Sequence, residues 1–178
     1  MAHKRATFGA GCFWGVEVTF RNVPGVVDAI AGSSGGTTER PTYQEVCRHG
    51  TGHAEVVDVT FDPERVSYEQ LLDVFFTSHD PTQLNRQGGD IGTQYRSAIF
   101  PLNAAQADAA RDGIARASAD WPAPIVTTVE SASEWYPAED YHQAYWEGEG
   151  QRNPYCMAVI PPKLAKLRKG FSDRLRSA

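Results

Sequence analysis

The order in which strand-type and helix-type patterns succeed one another limits this chain more than any single residue does. Arg5 to Ala10 is a short apolar run of strand type, and Val16, Val18, Phe20 and Val23 continue an apolar pattern that a helix starting near Cys12 would bury. Pro24-Gly25 turns the chain into a second strand, Val26 to Ala31. Ala54 to Phe61 alternates, with Val57, Val59 and Phe61 on one face of a third. Ser67 and Gln70 have the spacing of a capping box ahead of Leu71, Leu72, Val74, Phe75 and Phe76, and this helix ends before Pro81. Tyr95 to Phe100 predicts another strand. Asn103 caps an alanine-rich helix to about Asp120, stopped by Trp121-Pro122-Ala123-Pro124, and Ile125 to Val129 reads as a last strand. Strand, helix, strand, strand, helix, strand, helix, strand is the α+β class. Its repeated β-α-β halves predict a two-layer α/β sandwich of ferredoxin-like type, a mixed sheet with helices on one face.

The intervening stretches differ in character. Gly32 to Thr38 is rich in glycine and serine and reads as a loop outside the core, and Glu39 to Gly52 carries turn formers and charges. Asp80 to Gly92 is polar and too long for a tight connection, which makes it a candidate functional loop. Ser131 to Tyr155 is aromatic and acidic with neither period, so an irregular wrap around the body is expected there. From Pro161, Leu164, Leu167, Phe171 and Leu175 form one face of a C-terminal helix whose basic side is a solvated surface.

A length of 178 residues suits one catalytic domain, 1–178, in which 150–178 is a C-terminal segment. The net charge of -5 and a pI near 5.5 give no basic surface for nucleic acid. No run is long enough for a bilayer, and Met1-Ala2-His3-Lys4-Arg5 leads into a strand without the apolar stretch of a secretory signal. Three cysteines, Cys12, Cys47 and Cys156, are far apart and odd in number, which favours catalytic or redox use in a reducing compartment over a disulfide framework. A cytoplasmic monomer is the expectation. No cysteine or histidine pair has the short spacing of a zinc site, so neither a metal nor a bound cofactor is expected.

Gly11-Cys12-Phe13-Trp14-Gly15 reads as a reactive centre. A thiol at a strand-to-helix turn lies near unpaired N–H groups and the positive end of a helix dipole, which favours thiolate, the nucleophilic form. The bland alternative is a small buried hydrophobe in a packed turn. Glu55 heads the strand whose apolar face is Val57, Val59 and Phe61, and its side chain points to that face. A carboxyl group held there has its pKa raised and stays protonated near neutrality, as a general acid requires. Its alternative is a solvated position past the sheet edge, or a pairing with Arg48. Gly88 to Ser97 is a glycine-hinged loop that delivers Asp90 and Tyr95 to the head of a strand, without the lysine and spacing of a phosphate loop. The hydroxyls of Tyr43 and Tyr95 can donate to a bound oxygen, or the two rings can be half-buried core aromatics. His53 and His142 read as hydrogen-bonded structural groups.

Gly11-Cys12-Phe13-Trp14-Gly15, Thr51-Gly52-His53-Ala54-Glu55, His79-Asp80-Pro81-Thr82-Gln83, Gly92-Thr93-Gln94-Tyr95-Arg96-Ser97 and Pro137-Ala138-Glu139-Asp140-Tyr141-His142-Gln143 resemble, in order, the signatures of the peptide methionine sulfoxide reductase A family. The resemblance covers almost the whole length. It implies reduction of free and protein-bound methionine S-sulfoxide, as repair of oxidised proteins, through attack by Cys12 on the sulfoxide sulfur. It further implies that Glu55 protonates the sulfoxide oxygen, Tyr43 and Tyr95 hold that oxygen, Asp90 completes the polar network, and Phe13 and Trp14 receive the ε-methyl group. The product is methionine plus a sulfenic acid on Cys12, which a second thiol resolves. Cys156 is the preferred resolving thiol, with Cys47 and an external thiol as the other routes, and thioredoxin is the implied reductant. Two departures stand out. Many relatives carry Gly-Tyr-Ala-Gly-Gly where this chain has Gly32-Ser33-Ser34-Gly35-Gly36, and the tail around Cys156 has little of the glycine several relatives place there.

Two rival readings exist. A papain-like cysteine hydrolase would also place a cysteine beside an aromatic near the amino terminus, but the local Cys-Gly-Ser-Cys-Trp pattern is absent and the acid and tyrosines have no part in acyl transfer. A non-catalytic sensor of methionine sulfoxide would bind without turnover.

Overall fold

β1 (Lys4–Ala10) is an inner strand, hydrogen-bonded to a neighbour on each side and buried on both faces from Ala6 onward. Ala6, Phe8 and Ala10 turn to the main core, whereas Arg5 and Thr7 turn away and meet the buried Asp58 carboxylate at 2.9 and 3.0 Å. The computed structural model describes residues 3–36, 41–47, 51–130, 135–139, 142–143, 154, 157, 160–162, 164–165 and 167. After β1 come α1 (Phe13–Arg21), β2 (Val26–Ser34), α2 (Tyr43–Cys47), β3 (Ala54–Phe61) and α3 (Tyr68–Ser78). A two-residue pair follows, β4 (Arg86–Gln87) and β5 (Asp90–Ile91), then β6 (Ser97–Phe100), α4 (Ala104–Ala117), β7 (Thr128–Val129) and β8 (Trp135–Pro137).

The large sheet has the order β7-β6-β1-β3-β2-β8. Its inner four strands, β6-β1-β3-β2, pair antiparallel, which with α1 and α3 as crossovers is the ferredoxin-like arrangement expected. The parallel pairing of β6 with β7 makes the sheet mixed. Phe8 stacks on Phe20 of α1 at 5.1 Å and lies 5.3 Å from Phe75 of α3, so one strand residue ties both helices to the sheet. Burying rings of this size stabilises by about 1.5–3 kcal/mol each. The capping box forms on both arms, with Ser67 Oγ accepting from Gln70 N at 3.1 Å and Gln70 Oε1 accepting from Ser67 N at 3.0 Å. Asn103 caps α4 through Gln106 N at 2.9 Å.

Several expectations change. Gly32, Ser33 and Ser34 are not a loop outside the core: they extend β2 and are buried between β3 and β8. A Cβ on Gly32 would stand 2.4 Å from the Tyr136 carbonyl oxygen, so glycine is there to admit the neighbouring backbone. Trp135–Pro137 is that neighbour, a short strand in what was expected to be irregular. Its three residues are too few for alternation to declare itself. The turn-rich stretch before β3 holds the five-residue α2. Tyr95 lies in a single 3-10 turn (Thr93–Tyr95), and β6 begins at Ser97. Only Thr128 and Val129 of the last expected strand pair. Helical backbone is already present at Pro154 and Met157, ahead of Pro161, and Ile160 and Leu167 are buried.

Candidate active site

The exit of β1, the end of β2, the entrance of β3 and the approach to β6 lie at one end of the sheet, since Ala10 pairs with Ser97 and Ser33 with Glu55. Gly11 leaves β1 at φ 92°, a conformation that favours glycine, and Cys12 then caps α1. The Cys12 carbonyl accepts from Val16 N at 3.4 Å, and the residue is half-buried. Its thiol stands at the N-terminus of a nine-residue helix with no acidic side chain in the first turn, where the helix dipole favours thiolate.

Glu55 is 1% exposed. Its Oε1 accepts from the Phe13 N–H at 3.2 Å, one residue past the thiol, and its Oε2 is buried with no hydrogen-bond partner among the described residues. Burial pushes the pKa up to about 8 from an ordinary 4.5; the Phe13 N–H works against this and the Asp90 charge adds to it. The group is therefore mostly protonated at neutral pH, and a protonated carboxyl carries one donor.

Four rings form the apolar wall. Tyr43, the first residue of α2, stacks on Phe13 at 5.8 Å and on Trp14 at 6.2 Å, and lies 4.2 Å from the His142 ring. Trp14 Nε1 donates to His142 Nδ1 at 3.0 Å, so that nitrogen carries a lone pair and the ring is neutral. Burial lowers the His142 pKa, against the pull of Glu139, which agrees. Glu139 Oε1 accepts from Tyr43 N at 3.1 Å, and Gln143 bonds both main-chain polar atoms of Ala31 at 2.9 Å. Glu139 is thereby fastened to α2 and Gln143 to β2.

Of the residues singled out from sequence, Cys12, Phe13, Trp14, Glu55 and Tyr43 surround the start of α1. Asp90 reaches the same end of the sheet on β5, close enough for its charge to act on Glu55, and Tyr95 is half-buried two residues before Ser97. Cys156 and Arg48 lie outside the described residues, as does the side chain of Cys47, whose backbone ends α2. Among the described residues no group of three or more His, Cys, Asp or Glu is placed to hold a metal. Sequence reasoning marks out Glu139 to Gln143 as a signature but gives Glu139 and Gln143 no role, and it misses the part of His142 in the wall. Their contacts span |i−j| separations of 96 to 128, and short-range pattern carries no trace of these. His53 is structural, accepting from Gly36 N at 3.1 Å.

A family model described as "Peptide methionine sulfoxide reductase" matches residues 4–175. A protein of Erwinia tasmaniensis named "Peptide methionine sulfoxide reductase MsrA" is 58% identical over 172 residues, 97% of this chain and 97% of its own length. The crystal structure of Mxr1 from Saccharomyces cerevisiae in reduced form is similar with a TM-score of 0.79 and 34% identity, covering 85% of this chain and 86% of that one. The same yeast protein in complex with Trx2 is similar at a TM-score of 0.58 and 25% identity, over 80% and 84% of the two chains.

Proposed function

This chain belongs to the peptide methionine sulfoxide reductase family, and from that premise we propose that it reduces methionine sulfoxide by attack of the Cys12 thiolate on the sulfoxide sulfur while Glu55 protonates the sulfoxide oxygen. It is an oxidoreductase acting on methionine sulfoxide. A sulfoxide oxygen is a poor leaving group until it gains a proton, so nucleophile and acid must act on the same bond. The observation that carries the reading is the Glu55 carboxyl, fixed through Oε1 to the residue after the thiol and leaving Oε2 buried without a hydrogen-bond partner among the described residues.

The atoms balance. The methionine sulfur loses oxygen and gains two electrons, and the Cys12 sulfur takes the oxygen as a sulfenic acid and loses two. A second thiol attacks that sulfur, expels water and leaves a disulfide. We take Cys156 in segment 150–178 as that thiol, with Cys47 or an external thiol as the other routes. Thioredoxin then reduces the disulfide, a reading supported by the yeast relative crystallised with Trx2, a thioredoxin. Tyr43 and Tyr95 hold the sulfoxide oxygen, Asp90 sustains the proton on Glu55, and Phe13 with Trp14 receives the methyl group. Residues 1–178 act as one catalytic unit, a cytoplasmic monomer specific for the S epimer. Among the described residues no helix is long and apolar enough to cross a membrane.

Mass spectrometry after one turnover on a methionine sulfoxide peptide without reductant tests this. The expected result is stoichiometric methionine and a Cys12–Cys156 disulfide, Cys12→Ser forming neither and Cys156→Ser leaving Cys12 as the sulfenic acid. Amine release from the peptide with the sulfoxide intact would instead establish the hydrolase, and binding without methionine formation the sensor.

A further inference from the structure

We propose that Gln87 is a positioning residue for this site: its side chain fastens the hairpin that bears Asp90 to the end of α3 and seats it on Gly11, beside Cys12. The inference rests on the part assigned to Asp90 above.

Three contacts converge on this one residue. Gln87 Oε1 accepts from Asp80 N and Gln87 Nε2 donates to Asp80 O, both at 2.9 Å, so the amide pairs with Asp80 as a neighbouring strand would. The Gln87 backbone lies opposite Asp90 in the β4–β5 pair. Its methylenes rest on Gly11, where an added Cβ would meet Gln87 Cβ at 2.9 Å and Cγ at 3.0 Å. Gln87 thus links Asp80, its strand partner Asp90 and the turn that presents the thiol.

Asp80 is a firm anchor. The preceding His79 ring bridges Phe75 O at 2.6 Å and Ser97 Oγ at 2.8 Å, and the following Pro81 carbonyl accepts from Val126 N at 2.8 Å. The hairpin is not firm by itself. Two paired residues on each side make a ladder too short to be stable alone. The bond from Gly92 N to Asn85 O and that from Gly88 N to Gln83 Oε1 close it internally without joining it to the sheet. Pleating puts Gln87 and Asp90 on one face of the pair and Arg86 with the exposed Ile91 on the other. The side chain that seats the hairpin and the side chain whose charge reaches Glu55 therefore share the inner face.

A double-mutant cycle on the full chain tests this, reading the single-turnover rate of methionine formation from a methionine sulfoxide peptide. Gln87→Met keeps the methylenes on Gly11 and removes both bonds to Asp80. We expect it to slow the step about tenfold in the parent chain, as misplacement of a reacting group does, and less than about twofold in Asp90→Asn, where there is no charge left to position. A merely structural role would slow both backgrounds alike, and that additive result overturns the inference. An unchanged rate in Asp90→Asn alone overturns the role of Asp90, and this inference with it. Should Gln87→Met fail to unfold cooperatively, Gln87→Glu, which keeps the acceptor for Asp80 N and loses the donor, takes its place in the same cycle with the same two outcomes.

Discussion

The Phe13 N–H and the Glu55 carboxyl, separated by 42 positions in the chain, meet at 3.2 Å. The amide belongs to the first turn of α1 and so lacks an intrahelical acceptor. Glu55 supplies one, and in doing so places its carboxyl beside the residue that caps the helix, Cys12. One hydrogen bond thus satisfies an orphan donor and sets acid against nucleophile.

Glu55→Gln is expected to slow single-turnover reduction by about 10²–10⁴-fold, the usual worth of a positioned general acid. With a pKa of about 8, the parent chain should lose its rate as pH rises through 8, whereas the amide variant should lack that alkaline limb. Stopped-flow rates between pH 6 and 10 check this. A parent profile without the limb would remove Glu55 from the step.

The same substitution should act in the opposite direction on stability. Glu55 binds its proton more tightly folded, at about 8, than unfolded, near 4.5, so its contribution is fully present below the lower value and is lost as pH rises through the upper one. Each unit of difference is worth about 1.4 kcal/mol, which over this range sums to a few kcal/mol. Urea denaturation should therefore show Glu55→Gln gaining on the parent chain between pH 5 and 9. A gap independent of pH would contradict it.

His142→Ala leaves Trp14 Nε1 without its acceptor and opens one side of the Tyr43 ring. Loss of one buried hydrogen bond costs about 1–3 kcal/mol, which should appear as a KM for methionine sulfoxide raised about 5- to 150-fold with a smaller effect on the rate at saturation. Steady-state kinetics with a dithiol reductant separates the two. A change confined to the saturated rate would move His142 from the wall to the chemistry.

Local chemistry made much of this readable in advance, and distance hid the rest. Cys12 announces itself through glycine on both sides, and the alternation of Val57, Val59 and Phe61 carries Glu55 to the core face, where it is found buried. The capping box at Ser67 and Gln70 depends on four consecutive residues and was equally plain. Nothing local distinguishes Gly32 to Ser34 from a solvated loop, because the strand that covers them comes a hundred residues later. Glu139 and Gln143 stand in a recognisable signature, but what they do shows only once α2 and β2 are in place to receive their bonds. Tyr95 reads as strand from sequence because a 3-10 turn leaves no periodic mark in three residues.

Gly32→Ala tests whether the β2–β8 junction supports the site. The new methyl would lie 2.4 Å from Tyr136 O and 2.7 Å from Trp135 Nε1, and the first is backbone that cannot swing aside. β8 must then shift away from β2, weakening the pairing of Gly32 with Pro137 and of Ser33 with Tyr136. Overpacking of this kind costs about 1–3 kcal/mol, to be read as a lower urea midpoint. Glu139 lies two residues past the end of β8, so displacement also loosens the anchor of Tyr43 and with it the ring that packs on His142. KM for methionine sulfoxide should rise alongside the loss of stability. A variant with lowered stability and unchanged KM would show that the wall is held without β8.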